Sequence, residues 1–212
     1  MDHGMDALPQ TAEPTEARAS AQWAWALIQH RQTILPKRLT DPGPDVSQLD
    51  LIFRAAAAAP DHRELVPWRF VIIPMTARGR LAQVFADSLL ERDPSATPEQ
   101  LTDARDKAFR GPLLLLAVVR TGSPGDEIPA CERLLSAGCA IQNMLLMATA
   151  MGFASALTGG KALQSPGLGA LFALAPDEQA VCFVSLGTAV RSKSARQRPE
   201  PSRFVSFLAA DS

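Results

Sequence analysis

Residues 112–119 read PLLLLAVV, an apolar run with no polar interruption. It has no alternation, so as a strand it offers no face to water. The stretch predicts a central strand buried on both faces. It is too short to cross a bilayer, and no run in the chain approaches the roughly 18 to 20 apolar residues a membrane helix needs. The loop TGSPGDE follows it.

The other elements are read against this strand. WRFVII, residues 68–73, is a strand ended by Pro74; AVCFVSLG, 180–187, is another, and FASAL, 153–157, is a short one. SAQWAWALIQHR predicts a first helix from Ser20 as cap to Arg31, with Trp23, Leu27 and Ile28 on one face. Residues 32–44 then read as loop. Ser47 predicts the cap of a second helix, with Asp50 as its box partner, and Leu49, Ile52, Phe53, Ala56 and Ala57 form a buried stripe. Pro60 disfavours helical geometry at Ala59 and marks the exit. A third helix spans about residues 77–90. Thr97-Pro98-Glu99-Gln100 starts a fourth with a cap, a first-turn proline and a box residue. The longest helix runs from about Pro129 to Met151, apolar nearly all round after Ala137 and hence central and buried; Gly152 suits its end. GALFALA, 169–175, is a short helix. RFVSFL, 203–208, is strand-like and has no obvious place in a compact monomer. No GxGxxG or GxxxxGK[ST] follows a strand, which removes dinucleotide-binding and P-loop readings.

The chain is 212 residues long, enough for one domain with a proper core. It carries 21 Lys and Arg against 22 Asp and Glu, a net charge of −1, so overall charge makes no case for nucleic acid. Cys131, Cys139 and Cys182 are an odd number without CxxC spacing; they read as buried, inert thiols in a reducing compartment, and with only three His they give no zinc pattern. Residues 1–19 lack the basic-then-apolar order of a secretory leader and read as a mobile tail ahead of one domain, 20–212.

Four groups of residues point toward chemistry. In HRQT, 30–33, an Arg and a hydroxyl two residues later can hold one phosphate; the same residues also suit an ordinary helix end with favourable bases. TGGK, 158–161, lets backbone N–H groups approach a flat or anionic ligand, or is a plain turn. Arg191, Lys193, Arg196 and Arg198 can neutralise a phosphate or form a solvated tail. His62 stands beside Asp61 where the alanine helix FRAAAAA stops, but no Ser or Cys sits in a nucleophile elbow, so no triad is read.

Taken together, HRQT, APDHRELVPWRF, LSAGCAIQNMLLMATAMGFASALTGG and VSLGT with its basic sequel resemble, in this order, the FMN-dependent nitroreductase family, especially its small bacterial branch. The resemblance covers residues 20–208. It implies an α+β three-layer sandwich, a mostly antiparallel sheet flanked by helices, with the C-terminal extension exchanged between two subunits. It implies FMN held by Arg31, Gln32 and Thr33 at the phosphate end and by the backbone of Leu157, Thr158 and Gly159 near the ring, with His62 reaching in from the second subunit as a cofactor or substrate contact. Lys193 is the expected tail contact to the phosphate, Arg196 the second choice, and Arg80 a candidate at the pyrimidine edge. Three stretches depart from the family pattern: Val66 before Pro67-Trp68, the small uncharged Leu157-Thr158-Gly159, and Gln32 where a second Arg is common.

The implied activity is a cytoplasmic, homodimeric oxidoreductase. It takes hydride from NAD(P)H by a ping-pong mechanism and reduces a flat electron-poor acceptor such as a nitroaromatic or quinone. No side chain is required as an obligate acid or base, and no metal is expected. The alternatives are a flavin-binding protein of the same fold with little turnover, and a flavin-free interaction module.

Overall fold

The computed structural model describes residues 15–123, 125–191 and 197–208. Its sheet is built on the predicted apolar strand. Strand β3, Leu113–Arg120, lies between β2, Trp68–Ile72, and β5, Glu178–Ala189. Strands β4, Ala154–Thr158, and β1, Leu39–Thr40, both pair with the other side of β5, and every one of these pairings is antiparallel. Register slips by one residue where Ala117 faces Cys182 and Val118 faces Ala180, leaving Val181 as the extra residue.

Side chains of β3 alternate between two cores. Leu115 and Ala117, with Val184 and Leu186 of β5, pack under α2 (Val46–Ala57) and α5 (Ala130–Ala150). Leu114, Leu116 and Val118, with Phe183, pack under α3 (Arg78–Arg92) and α6 (Pro166–Leu171), and α4 (Pro98–Asp106) lies on α3. Each fully buried leucine contributes ~2 kcal/mol. The expected α+β architecture, a sheet between two helical layers, is therefore what forms. Strand β3, apolar except for Arg120 at its end, sits between both layers because neither of its faces needs water.

Local signals acted as expected at several ends. Thr97 Oγ1 accepts from Gln100 N and Gln100 Oε1 accepts from Thr97 N, closing the predicted box. At the end of α5, Phe153 N donates to Ala148 O and Gly152 N to Thr149 O, the double bond of a Schellman turn, with Gly152 at φ 84°.

Other ends moved. Helix α1 spans Thr15–His30, so Ser20 is an interior residue and not the cap; Glu16 in the first turn and the following alanines extend the helix upstream. The cap of α2 is Asp45, boxed with Gln48, while Ser47 donates to the Asp45 carboxylate and Asp50 pairs with Arg54. A carboxylate two residues ahead outcompetes the hydroxyl. Strand β1 forms inside the expected loop, and α6 begins at Pro166, capped by Ser165. Only one stripe of α5 is buried, from Ala137 through Ala140, Met144 and Leu145 to Ala148; Leu135 remains 69% exposed. Phe204–Leu208 form no strand in the single chain, and their large side chains are exposed.

Candidate functional site

The site is organised by β4. As α1 ends, Arg31 N still donates to Leu27 O, and the chain then leaves the helix along the free edge of β4. Thr33 forms a parallel bridge with Ser155, and Ile34 N donates to Ser155 O at 2.9 Å. Arg31, Gln32 and Thr33 are thereby stitched to the strand that ends in Leu157, Thr158 and Gly159.

A second guanidinium arrives from the tail. Arg198 donates to Arg31 O at 3.0 Å and to Gln29 O at 3.4 Å. Burial, and secondarily the Arg198 charge, push the Arg31 pKa down, although an arginine stays protonated. Neither arginine makes an ion pair among the described residues. Two adjacent cations without a carboxylate are unfavourable alone and become favourable around an anion. Gln32 Oε1 and Ser155 Oγ are buried and have no hydrogen-bond partner among the described residues.

At the far end of β4, Thr158, Gly159, Gly160 and Lys161 line a cavity of about 460 Å³. Five cations border it, namely Lys37, Arg92, Lys107, Arg110 and Lys161, and no Asp or Glu does. Phe85, Leu89, Leu114 and Phe183 supply apolar walls, and Ser185, whose buried Oγ has no partner among the described residues, is also in the lining. Apolar walls with a cationic border suit a flat conjugated ring that carries negative charge at one edge.

The structure thus joins Arg31, Gln32 and Thr33 with Leu157, Thr158 and Gly159. It does not join His62 to them. That residue lies in the turn before β2, at the opposite edge of the sheet from β4, three strand spacings or about 14 Å across. Its Nδ1 is 2.8 Å from Glu132 Oε2 in the first turn of α5. Lys193 and Arg196 lie outside the described residues. Arg198, one of four tail bases in the sequence, is the one seen at Arg31. Arg80 is exposed on α3 and does not line the cavity. Lys37 and Lys107 were not singled out from sequence, and their spacing from TGGK carries no local signal that could have found them.

Cys131 is exposed, contrary to the expectation of three buried thiols; it falls on the solvent side of the α5 stripe. Burial pushes the Cys182 thiol up to about 11, so it is inert at neutral pH. Among the described residues, no group of His, Cys, Asp or Glu is placed to hold a metal ion.

Comparison with known proteins gives concordant results. The profile of the nitroreductase family matches residues 28–188. The Escherichia coli K12 protein named "Putative NAD(P)H nitroreductase YdjA" is 30% identical over 172 residues, spanning 81% of this chain and 92% of that protein. A protein of Haemophilus influenzae, "Putative NAD(P)H nitroreductase", is 30% identical over 173 residues, 81% and 93% of the two chains. Among solved structures, the nitroreductase-like family protein from Bacillus cereus superposes with a TM-score of 0.75 at 16% identity, over 95% of this chain and all of that one. The FMN-dependent nitroreductase NfnB of Mycobacterium smegmatis, in complex with NADPH, does so with a TM-score of 0.68 at 16% identity, over 90% and 100%.

Proposed function

The chain belongs to the nitroreductase family, and from that premise we propose that it is an FMN-dependent oxidoreductase that draws hydride from NAD(P)H and reduces a flat, electron-poor acceptor such as a nitroaromatic or quinone. One observation carries the reading: an arginine pair without an ion-pair partner among the described residues and an apolar, cation-bordered cavity stand at the two ends of one short strand. The residues fit FMN. Its phosphate would answer Arg31, Arg198 and the Thr33 hydroxyl, and the orphaned Gln32 Oε1 and Ser155 Oγ offer acceptors to its hydroxyls. Lys193 is retained as a further tail contact in this proposal.

Bound FMN would supply the redox chemistry, taking two electrons and a proton as hydride and passing them on. The chain's part is electrostatic and steric. Lys37 and Lys107 would stabilise negative charge developing at one ring edge in a cavity with apolar walls, where such charge is poorly screened. Backbone N–H groups of Leu157, Thr158 and Gly159 would fix the ring without adding bulk, leaving room for a stacked donor or acceptor. Both would use that one space in turn, so initial-rate plots should be parallel, the ping-pong pattern.

Two copies are part of the proposal. Trp23 is 78% exposed on α1 and Leu135 is exposed on α5, Phe207 and Leu208 are exposed in the tail, and the outer edge of β2 is unpaired among the described residues. Apolar surface and an open edge of this kind favour burial against a second subunit. In the dimer, residues 203–208 would lie on the partner, and His62 would reach the partner's FMN, which it does not do within its own chain. The cytoplasm is the proposed location; the three cysteines are unpaired, and no helix among the described residues is long and apolar enough to cross a membrane.

An absorption spectrum of the isolated protein tests cofactor binding through the flavin bands at about 370 and 450 nm. Anaerobic stopped-flow mixing with NADPH and with NADH then tests turnover. Flavin bands that bleach support the enzyme. Bands that persist indicate the flavin-binding protein without turnover, a reading the small uncharged loop at 157–159 would favour. A colourless protein that does not take up added FMN overturns both.

A further inference from the structure

Between Pro60 and Trp68 the backbone does something costly. Arg63, Glu64 and Val66 all have positive φ, at 57°, 53° and 46°. For a β-branched residue such as Val66 this is a strained conformation, and three such residues in one short turn persist only where the surroundings impose them. Here the surroundings are visible. Asp61 Oδ2 accepts from Val66 N at 2.6 Å and ties the turn across its own base. Ser136 Oγ donates to Pro60 O at 2.9 Å, Arg63 pairs with Glu127, and the His62 ring meets Glu132 at 2.8 Å. The last three partners belong to the start of α5 and the loop before it. Arg133 fixes that loop by donating to Ile128 O and Asp126.

We propose that Glu132 is the positioning residue for His62: it accepts the Nδ1–H hydrogen bond and so leaves Nε2 as the one ring nitrogen free to contact a ligand. The geometry supports it directly, since no partner of Nε2 appears among the described residues and the ring is half-exposed. A carboxylate can only accept, so the Nδ1 nitrogen must carry the hydrogen. Glu132 is itself suited to its place, because an acidic side chain in the first turn of a helix is stabilised by the helix dipole. The strained turn then has a purpose: it swings His62 onto α5 and holds the ring by one edge. That Nε2 meets FMN in a partner subunit rests on the function proposed above; the clamp itself does not.

The test separates the two. Long-range proton–nitrogen correlation spectra of the full chain without flavin, at alkaline pH, report which ring nitrogen of His62 is protonated. Nδ1–H is expected in the wild type and in Glu132→Gln, whose amide oxygen can still accept, and Nε2–H in Glu132→Ala. Fluorescence titration with FMN should show about fivefold weaker binding for Glu132→Ala, the size of one lost hydrogen bond, near wild-type binding for Glu132→Gln, and no added effect of Glu132→Ala in a His62→Ala background. Nε2–H in the wild type, or equal losses in both backgrounds, would overturn the assignment. A wild type that shows Nδ1–H yet takes up no FMN keeps the clamp and removes the flavin reading.

Discussion

Replacing Glu178 by Gln should lower stability in a way that vanishes in acid. Arg69 on β2 reaches across β3 to Glu178 at the start of β5 and grips it with both arms: Nε to Oε1 at 2.7 Å and a terminal nitrogen to Oε2 at 2.8 Å. This fork, helped by Ala175 N donating to the same carboxylate, holds the Glu178 pKa down at about 2 against an ordinary 4.5. Two and a half units at 1.36 kcal/mol each set a ceiling of about 3 kcal/mol. The carboxylate is only 10% exposed, but the Arg69 side chain is 40% exposed, so solvent screening brings the figure to about 1–2 kcal/mol. The sign follows from linkage. A depressed carboxylate pKa stabilises the fold above the unfolded value and loses that stabilisation as pH falls from about 4.5 through about 2. Urea unfolding of wild type and Glu178→Gln should therefore differ by about 1–2 kcal/mol at pH 7, and the gap should narrow steadily below pH 4.5. A gap that is absent at pH 7, or unchanged down to pH 2.5, would refute the reasoning.

Arg31→Ala should weaken FMN binding about 10- to 100-fold by fluorescence titration, the worth of a charge-assisted contact, with circular dichroism unchanged. Met144→Ala empties a fully buried position between α5 and the sheet and should cost about 2–5 kcal/mol in urea unfolding. Gly187→Ala would push a Cβ to 2.6 Å from Pro112 Cδ, and should lower stability by about 1–3 kcal/mol. Leu135→Asp, on the exposed side of α5, should shift sedimentation toward the monomer while leaving the far-ultraviolet spectrum intact.

The sequence by itself determined whatever depends on a few neighbouring residues. PLLLLAVV could only be an interior strand, Thr97 and Gln100 could close a box without help from elsewhere, and Gly152 alone could take the left-handed turn after α5. The alanine helix stopped before Pro60 for the same kind of reason. Three consecutive residues, Arg31, Gln32 and Thr33, together with the resemblance to a family, sufficed to suggest a phosphate-binding set, and the fold lays them along β4. Tertiary structure decided everything that compares distant parts of the chain. Asp45 displaced Ser47 as a cap, two-residue β1 existed only because β5 offered an edge, and Phe204–Leu208, strand-like in sequence, formed no strand in the single chain. The contact of Arg198 with Gln29 and Arg31, and the gathering of Lys37, Lys107 and Lys161 around one cavity, join residues up to 169 positions apart. Capping and periodicity are short-range and are written locally, whereas the electrostatics of a site depend on which charges the packed helices and sheet bring within a few ångströms, and no local pattern encodes that distance.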